Sequence, residues 1–423
     1  MIYKNLRWWI AGLLALATAL NYLDRQTFPV VVGEVRKEIP ISNDQYGQLT
    51  SLFLLAYAIM YAGGGRLIDW LGARAGYAAM IAWWSAANCL SGTVTSVFDL
   101  GVFRFLLGMG EGGGFPGSAK AVAEWFPPRE RALAFGLFNT GSSVGAVIAP
   151  PVIALIVSLL GWRWVFYLTG GAGFVWAWIW LKIYRPPIHH PFLSADEREL
   201  IETSLAAERT VTGSGARPVL RWIHLFHYPE VWGLMIAKFL SDSAWFFFIF
   251  WLPKYLGDVR ALDIKHIGYF AWIPYGFSGA GSLMGGWLSS YLVRRNLTVN
   301  LARKIALGIS AALLPFSLFI VASPLSFAII FFSTAMFAHQ FWSANIQTLP
   351  ADLFPANVVG SVGGLLGSAG AFGAMLFNFA VGKLVDHHGY GPAFIVAGVL
   401  HPLAFVVILA MVRRIAPLQT VVL

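Results

Sequence analysis

Four charged side chains stand inside otherwise apolar stretches of this 423-residue chain: Asp24, Arg25, Arg104 and Glu111. A charge in the interior of a bilayer is costly and normally faces a cavity or a partner. Arg104 and Glu111 are seven residues apart, two turns along one helix face. The run Gly108-Met-Gly110-Glu111-Gly112-Gly113-Gly114 is rich in glycine, which permits close packing or a local bend. Asn21-Tyr22-Leu23-Asp24-Arg25 gathers hydrogen-bonding and aromatic groups on another stretch. A guanidinium grips a carboxylate through two parallel hydrogen bonds. A carboxylate in low dielectric is readily neutralised by a proton. Together these residue types suit the handling of an organic anion and a proton, with Tyr22 and Tyr57 able to line a sugar-sized cavity. The plainer alternative is a self-satisfied ion-pair network, but buried pairs add little net stability over apolar packing.

The elements that position these groups are membrane spans. The chain is 58% hydrophobic and 12% charged, with 18 Trp and 33 Phe, and its mean hydropathy is +0.68. A soluble domain carries about 25% charged residues, so a soluble enzyme is excluded. The apolar runs are continuous, not alternating, which excludes a transmembrane β-barrel. Runs of about 20 residues suffice to cross a bilayer. They fall near 8–33, 45–68, 75–97, 98–122, 131–159, 163–184, 229–257, 265–292, 301–321, 325–349, 357–385 and 391–413. The expected fold is an all-α membrane protein with twelve transmembrane helices in two pseudo-symmetric six-helix halves. Residues 1–184 form the first half and 229–423 the second. Residues 185–228 form a cytoplasmic linker in which Ser194-Ala195-Asp196-Glu197 opens a charged helix to about Arg209.

Orientation follows from the basic residues. With the N-terminus inside, 19 of 29 Lys and Arg fall on the cytoplasmic side and seven on the other, leaving only Arg25, Arg104 and Lys238 within spans. This bias places both termini in the cytoplasm. It also accounts for the net charge of +9 without nucleic acid. The apolar stretch after Arg7, with Ala15 and Ala17, has some character of a secretory signal, but it continues past Arg25 and many spans follow. The single Cys89 gives no disulfide framework and no Cys-based metal site.

Internal repeats fix the architecture. Gly65-Arg-Leu-Ile-Asp69-Trp-Leu-Gly72-Ala-Arg74 recurs in degenerate form as Gly286-Trp-Leu-Ser-Ser290-Tyr-Leu-Val293-Arg-Arg295, at an offset of 221. Glu124-Trp-Phe126-Pro127 recurs as Asp352-Leu-Phe354-Pro355 and the Gly161 turn as Gly389, at an offset of 228. A third copy, Gly382-Lys-Leu-Val-Asp386-His-His-Gly389, falls on the opposite face. Parallel halves built from inverted three-helix units describe alternating access. The Gly65–Arg74 run resembles the loop signature of the major facilitator superfamily, which makes Gly65, Asp69, Gly72 and Arg74 a conformational motif.

Within that superfamily, Asn21-Tyr22-x-Asp24-Arg25, the Arg104-to-Glu111 spacing and Phe337-Ala-His339-Gln340-Phe-Trp342-Ser343-Ala-Asn345 resemble the anion:cation symporter family. The run from Lys238 to Leu256 is similar to its hexuronate, aldonate and glucarate branch. The resemblance implies proton-coupled uptake of a sugar acid, a hexuronate such as glucuronate or galacturonate, across a bacterial-type inner membrane. It implies that Arg25 holds the substrate carboxylate, that Asp24 and Glu111 take protons, and that Arg104 partners Glu111. It adds polar contacts from Asn139, Ser142, Gln340, Ser343, Asn345 and Ser368. Where some aldonate-type relatives carry a longer amide, this chain has Asn139 and two serines, a departure that weakens the aldonate reading. Other organic anions, such as an aldonate, an aromatic carboxylate or sialic acid, remain the alternative on the same machinery.

Three further groups have two readings each. Lys238 and Asp242, four apart, form an intrahelical pair or leave Lys238 to meet the anion. Trp245 packs or stacks on a sugar ring. His339 is a hydrogen-bonded packing residue or a titrating group. The nine His form no convincing metal or nucleophile constellation, which sets aside a membrane enzyme. The loops leave no room for the output domain of a sensor. The expectation is a monomeric transporter with no cofactor and the proton as coupling ion. Moving one negative charge into a negative-inside cell costs about 2.3 kcal/mol per 100 mV, which a co-transported proton cancels.

Overall fold

The computed structural model describes residues 5–213, 222–354 and 356–418, and among them every regular element is a helix. The first group is α1 (Leu6–Val35), α2 (Asn43–Ser91), α3 (Val97–Gly112), α4 (Gly114–Trp125), α5 (Pro128–Leu160) and α6 (Trp162–Ile183). The linker carries α7 (Ala195–Gly213) and the single turn α8 (Trp222–Leu225). The second group is α9 (Pro229–Asp258), α10 (Ile264–Arg294), α11 (Val299–Leu313), α12 (Leu325–Ile346), α13 (Leu349–Leu353), α14 (Ala356–His388) and α15 (Gly391–Met411).

These elements make the twelve spans with three local departures from the sequence reading. The second and third spans run together as the 49-residue α2, bent where Gly72 adopts φ 78° and ψ 157°. A side chain would be strained there, so the motif glycine supplies the turn. The fourth span breaks at Gly113 into α3 and α4. The ninth finishes as a 3-10 turn over Leu314–Phe319. Gly161 and Gly389, matched by the repeat, both take positive φ and join successive helices, so the repeat in sequence is one in backbone conformation.

Local chemistry explains the boundaries. Ser42 with Gln45 and Ser96 with Asp99 form reciprocal capping boxes that start α2 and α3. Pro128 and Pro229 occupy the first turns of α5 and α9, where no backbone donor is needed. Glu197 on α7 accepts from the Leu6 and Arg7 backbone N–H groups at 2.9 and 3.1 Å. Arg7 also bridges Glu130 and Glu197, each at 2.8 Å. The linker helix is thereby fastened to the starts of α1 and α5. The polar, glycine-containing stretch that follows in the linker is helical through Gly213; 214–221 lie outside the described residues.

Glycine lets the helices approach closely inside each half. A Cβ at Gly141 or Gly145 would overlap the Ala15 or Ala19 carbonyl of α1, and one at Gly281 would overlap the Phe337 carbonyl of α12. Between the halves, α5 packs on α10, α2 on α14, and α1 on α9. Large apolar side chains such as Trp70, Phe98, Trp178, Leu283 and Trp287 point outward. In a span-rich chain that surface suits lipid.

The halves are joined most tightly at the face carrying the α1–α2 turn. Asp386 accepts from the backbone N–H groups of Asn43 and Asp44 at 3.2 and 2.7 Å, capping α2 from across the interface. Lys254 bonds Asn43 and Asp258, Arg36 reaches Asp258 at 3.3 Å, and the Tyr390 hydroxyl donates to Asp258 at 2.8 Å. Just below, the Tyr46 hydroxyl donates to the Phe250 carbonyl at 2.6 Å. Toward the face carrying the termini, a Cβ built at Gly63, Gly136, Gly286, Gly360 or Gly364 would meet nothing within 4 Å. Among the described residues, the ion pair between the halves, part of this latch, lies at the first of these two ends.

Candidate functional site

Helix geometry turns neighbouring side chains of the polar run of α1 in different directions. Successive helix residues point about 100° apart, so Asp24 and Arg25 serve different surroundings. Arg25 donates from Nε to Glu111 Oε2 at 2.9 Å and from Nη2 to Asn21 Oδ1 at 3.0 Å. Its guanidinium carbon lies 4.8 Å from the Tyr22 ring centre and 5.0 Å from that of Tyr57, with Phe53 and Phe246 at 5.7 and 5.8 Å. Both members of the ion pair are buried. Glu111 Oε1 and Asn21 Nδ2 have no hydrogen-bond partner among the described residues. This is a cation at the junction of the halves, ringed by aromatics from α1 and α2 on one side and α9 on the other.

Glu111 therefore pairs with Arg25, where the resemblance implied Arg104. Arg104 and Glu111 are about 10 Å apart along α3, and the ion pair that Glu111 forms is with Arg25. Arg104 instead lies over the Phe28 ring at 5.2 Å, with Nε and Nη2 buried and unpartnered among the described residues. Asp24 faces away from the junction. Its Oδ1 accepts from Asn88 Nδ2 at 2.7 Å, and the same amide reaches Thr169 Oγ1 at 2.7 Å. Among the described residues, Asp24 Oδ2 and Asn88 Oδ1 have no hydrogen-bond partner. The four charges share one half, but they form two clusters around α1.

The remaining sequence candidates separate likewise. Asn139 is exposed on α5, and Ser142 donates to its carbonyl at 2.7 Å. Gln340 is half-buried on α12. Ser343 accepts from Gln347 at 2.7 Å. Ser368 Oγ is buried without a hydrogen-bond partner among the described residues. Asn345 departs from expectation: its amide nitrogen donates to the Gly285 and Phe341 carbonyls at 3.1 and 2.9 Å, so it ties α12 to α10. Trp245 stacks on His339 at 4.7 Å, and His339 Nδ1 lies 3.1 Å from His401 Nε2. These contacts join α9, α12 and α15. Lys238 and Asp242 form the intrahelical pair at 2.8 Å. In the motif, Asp69 pairs with Lys120 at 2.7 Å and Arg74 donates to the Leu181 carbonyl at 2.6 Å, while Gly65 stands open.

Sequence reasoning missed Asn88, Thr169 and the latch. Asn88 and Thr169 are single polar residues in apolar runs, and nothing in their spacing ties them to Asp24. Lys254 sits four residues before Asp258, a visible signal, but its partners Asn43 and Tyr390 lie in other elements.

A twelve-span bundle of two related halves, latched at one end and holding a buried cation between them, is the construction of a membrane transporter. The chain belongs to the Major Facilitator Superfamily, whose family model matches residues 14–378. It is 33% identical over 409 residues to the hexuronate transporter of Escherichia coli, covering 96% of this chain and 94% of that one. It is 32% identical over 313 residues to the galacturonate transporter of Dickeya chrysanthemi, covering 74% and 90%. Among solved structures, a D-xylose–proton symporter superposes with TM-score 0.72 at 15% identity, covering 95% and 97%. A bacterial homologue of the lysosomal transporter Spinster superposes with TM-score 0.70 at 19% identity, covering 97% and 96%. The chain is a transporter rather than an enzyme.

Proposed function

We propose that the protein takes up a sugar-acid anion, a hexuronate such as glucuronate or galacturonate, together with protons across a bacterial inner membrane, with both termini cytoplasmic. The observation that carries this reading is Arg25: a buried guanidinium between the halves, hydrogen-bonded to Glu111 and faced by Tyr22 and Tyr57. A substrate carboxylate and the Glu111 carboxylate compete for the same donors. Protonation of Glu111 removes its charge and leaves Arg25 to the substrate. The proton and the anion thus enter together because neither uncompensated charge is tolerated in low dielectric. Asp24 supplies a second protonatable carboxyl, and Arg104 balances it through the field between them. The aromatic rings around Arg25 suit the C–H face of a sugar.

The distribution of basic residues supports a latched face on the outside, and on that reading this conformation is closed outward. Parting of Asp386 from α2 and of Arg36 from Asp258 then opens the outward route, while the open glycine positions at the other end close. One chain holds both halves, and a monomer suffices. Each proton moved down one pH unit supplies about 1.4 kcal/mol.

The test is uptake of labelled glucuronate into proteoliposomes with an imposed pH gradient. The expected result is accumulation above equilibrium that collapses with an uncoupler and is lost in Arg25→Ala. Accumulation that survives both perturbations overturns the reading.

A further inference from the structure

In the second half, Lys238 on α9 lies two turns before Phe246, whose ring packs against the Arg25 guanidinium. Its Nζ lies 2.8 Å from the Asp242 carboxylate, one turn further along the same helix, and both side chains are nearly buried, at 11% and 10% exposure. Asp242 does not point into lipid. A Cβ at Gly370 of α14 would overlap its carboxylate, and it lies within electrostatic reach of Tyr22 and Tyr61 in the opposite half. Tyr61 in turn presses against Gly367, and the buried Ser368 Oγ beside it has no hydrogen-bond partner among the described residues. The other titratable groups near Lys238, His339 and His401, hydrogen-bond each other behind Trp245. The pair therefore belongs to the wall of the second half that faces Tyr22, the neighbour of Arg25.

We propose that the Lys238–Asp242 pair sets the charge of the acid that the cavity accepts. Arg25 holds one carboxylate; Asp242 already occupies the cation that could hold a second. A monocarboxylate places its hydroxyl end against this wall, where Asp242 accepts hydrogen bonds. A dicarboxylate places a second negative charge beside Asp242, desolvated and without a free donor cation, which is strongly unfavourable. The pair thus selects monocarboxylate sugar acids against aldaric, doubly charged ones. This inference rests on the proposed function, since it takes the first carboxylate to be at Arg25.

The test uses purified protein in nanodiscs and labelled glucuronate, with gluconate and glucarate as competitors. These two are open-chain and differ by one carboxylate, so their ratio isolates charge from ring closure. The wild-type protein is expected to favour gluconate over glucarate by at least tenfold. In Asp242→Asn, Lys238 is released and the ratio should fall at least tenfold. In Lys238→Met/Asp242→Asn the gain for glucarate should vanish. Equal competition by the two acids in the wild-type protein overturns the proposal without any variant being made. So does an Asp242→Asn protein that binds glucuronate with the wild-type ratio, or a double variant that keeps the gain. Absence of glucuronate binding in the wild-type protein overturns the proposed function itself and this inference with it, so the two failures are distinct.

Discussion

Replacing Glu111 by Gln should uncouple transport while sparing the binding of substrate. Gln keeps the shape and an acceptor for Arg25 Nε, now 2.9 Å from Glu111 Oε2, so the packing around α1 and α3 survives. What it loses is the charge. Breaking a buried ion pair by removing one member costs about 3–5 kcal/mol, because the other charge is left uncompensated. In the variant the substrate carboxylate relieves that penalty each time it binds. If half of the penalty is relieved, affinity rises by about 2 kcal/mol, or roughly thirtyfold. The gradient term disappears at the same time: a proton carried by Glu111 contributes about 1.4 kcal/mol per pH unit, a tenfold accumulation ratio. Proteoliposomes with a gradient of one pH unit should therefore show accumulation at least tenfold lower in Glu111→Gln, alongside undiminished exchange of labelled for unlabelled glucuronate. Accumulation at the wild-type level would refute the assignment of Glu111 as the coupling group. Loss of exchange together with accumulation would refute the competition for Arg25.

Three more outcomes follow from the packing. Asp386→Ala removes the cap on α2; N-cap losses cost about 0.5–2 kcal/mol, so outward opening should become about 2- to 30-fold more populated. A thiol at Thr50 in a Cys89→Ser background should then react faster with an impermeant reagent added outside, and an unchanged rate would sink the latch. Gly141→Leu forces a side chain into the Ala15 carbonyl, and overpacking of at least about 1–3 kcal/mol should lower the melting temperature in detergent, whereas Gly136→Leu, facing open space, should not. Asp69→Asn loses a bridge whose carboxylate is 73% exposed. Such pairs contribute about 0–1 kcal/mol, so its melting temperature should stay near wild type, and a large drop would show that the pair does more than the structure assigns it.

The class and architecture were legible because a bilayer permits few solutions. Continuous apolar runs counted the spans, and the offsets of 221 and 228 paired the halves. The charged quartet was legible for the same reason, since Asp24, Arg25, Arg104 and Glu111 have almost no charged company in the spans. Their partners were not. Which carboxylate meets Arg25 depends on how α1 is rotated against α3, and sequence periodicity fixes a face of each helix but not the angle between two. Asn345 looked like a cavity residue on α12 because polarity alone cannot separate a ligand contact from a tie to backbone carbonyls. Asn88 escaped notice because its role comes from lying beside Asp24 and Thr169, 64 and 81 residues away. The latch was invisible for a related reason: Asp386 acts on backbone N–H groups that any residue at 43 and 44 would provide.

The most direct measurement is a structure of the protein with glucuronate bound at acidic pH. The account predicts the substrate carboxylate on the Arg25 guanidinium, Glu111 displaced from Arg25 Nε, and the sugar ring between Tyr22 and Tyr57. A bound glucuronate with its carboxylate elsewhere, and Arg25 still hydrogen-bonded to Glu111, would contradict it.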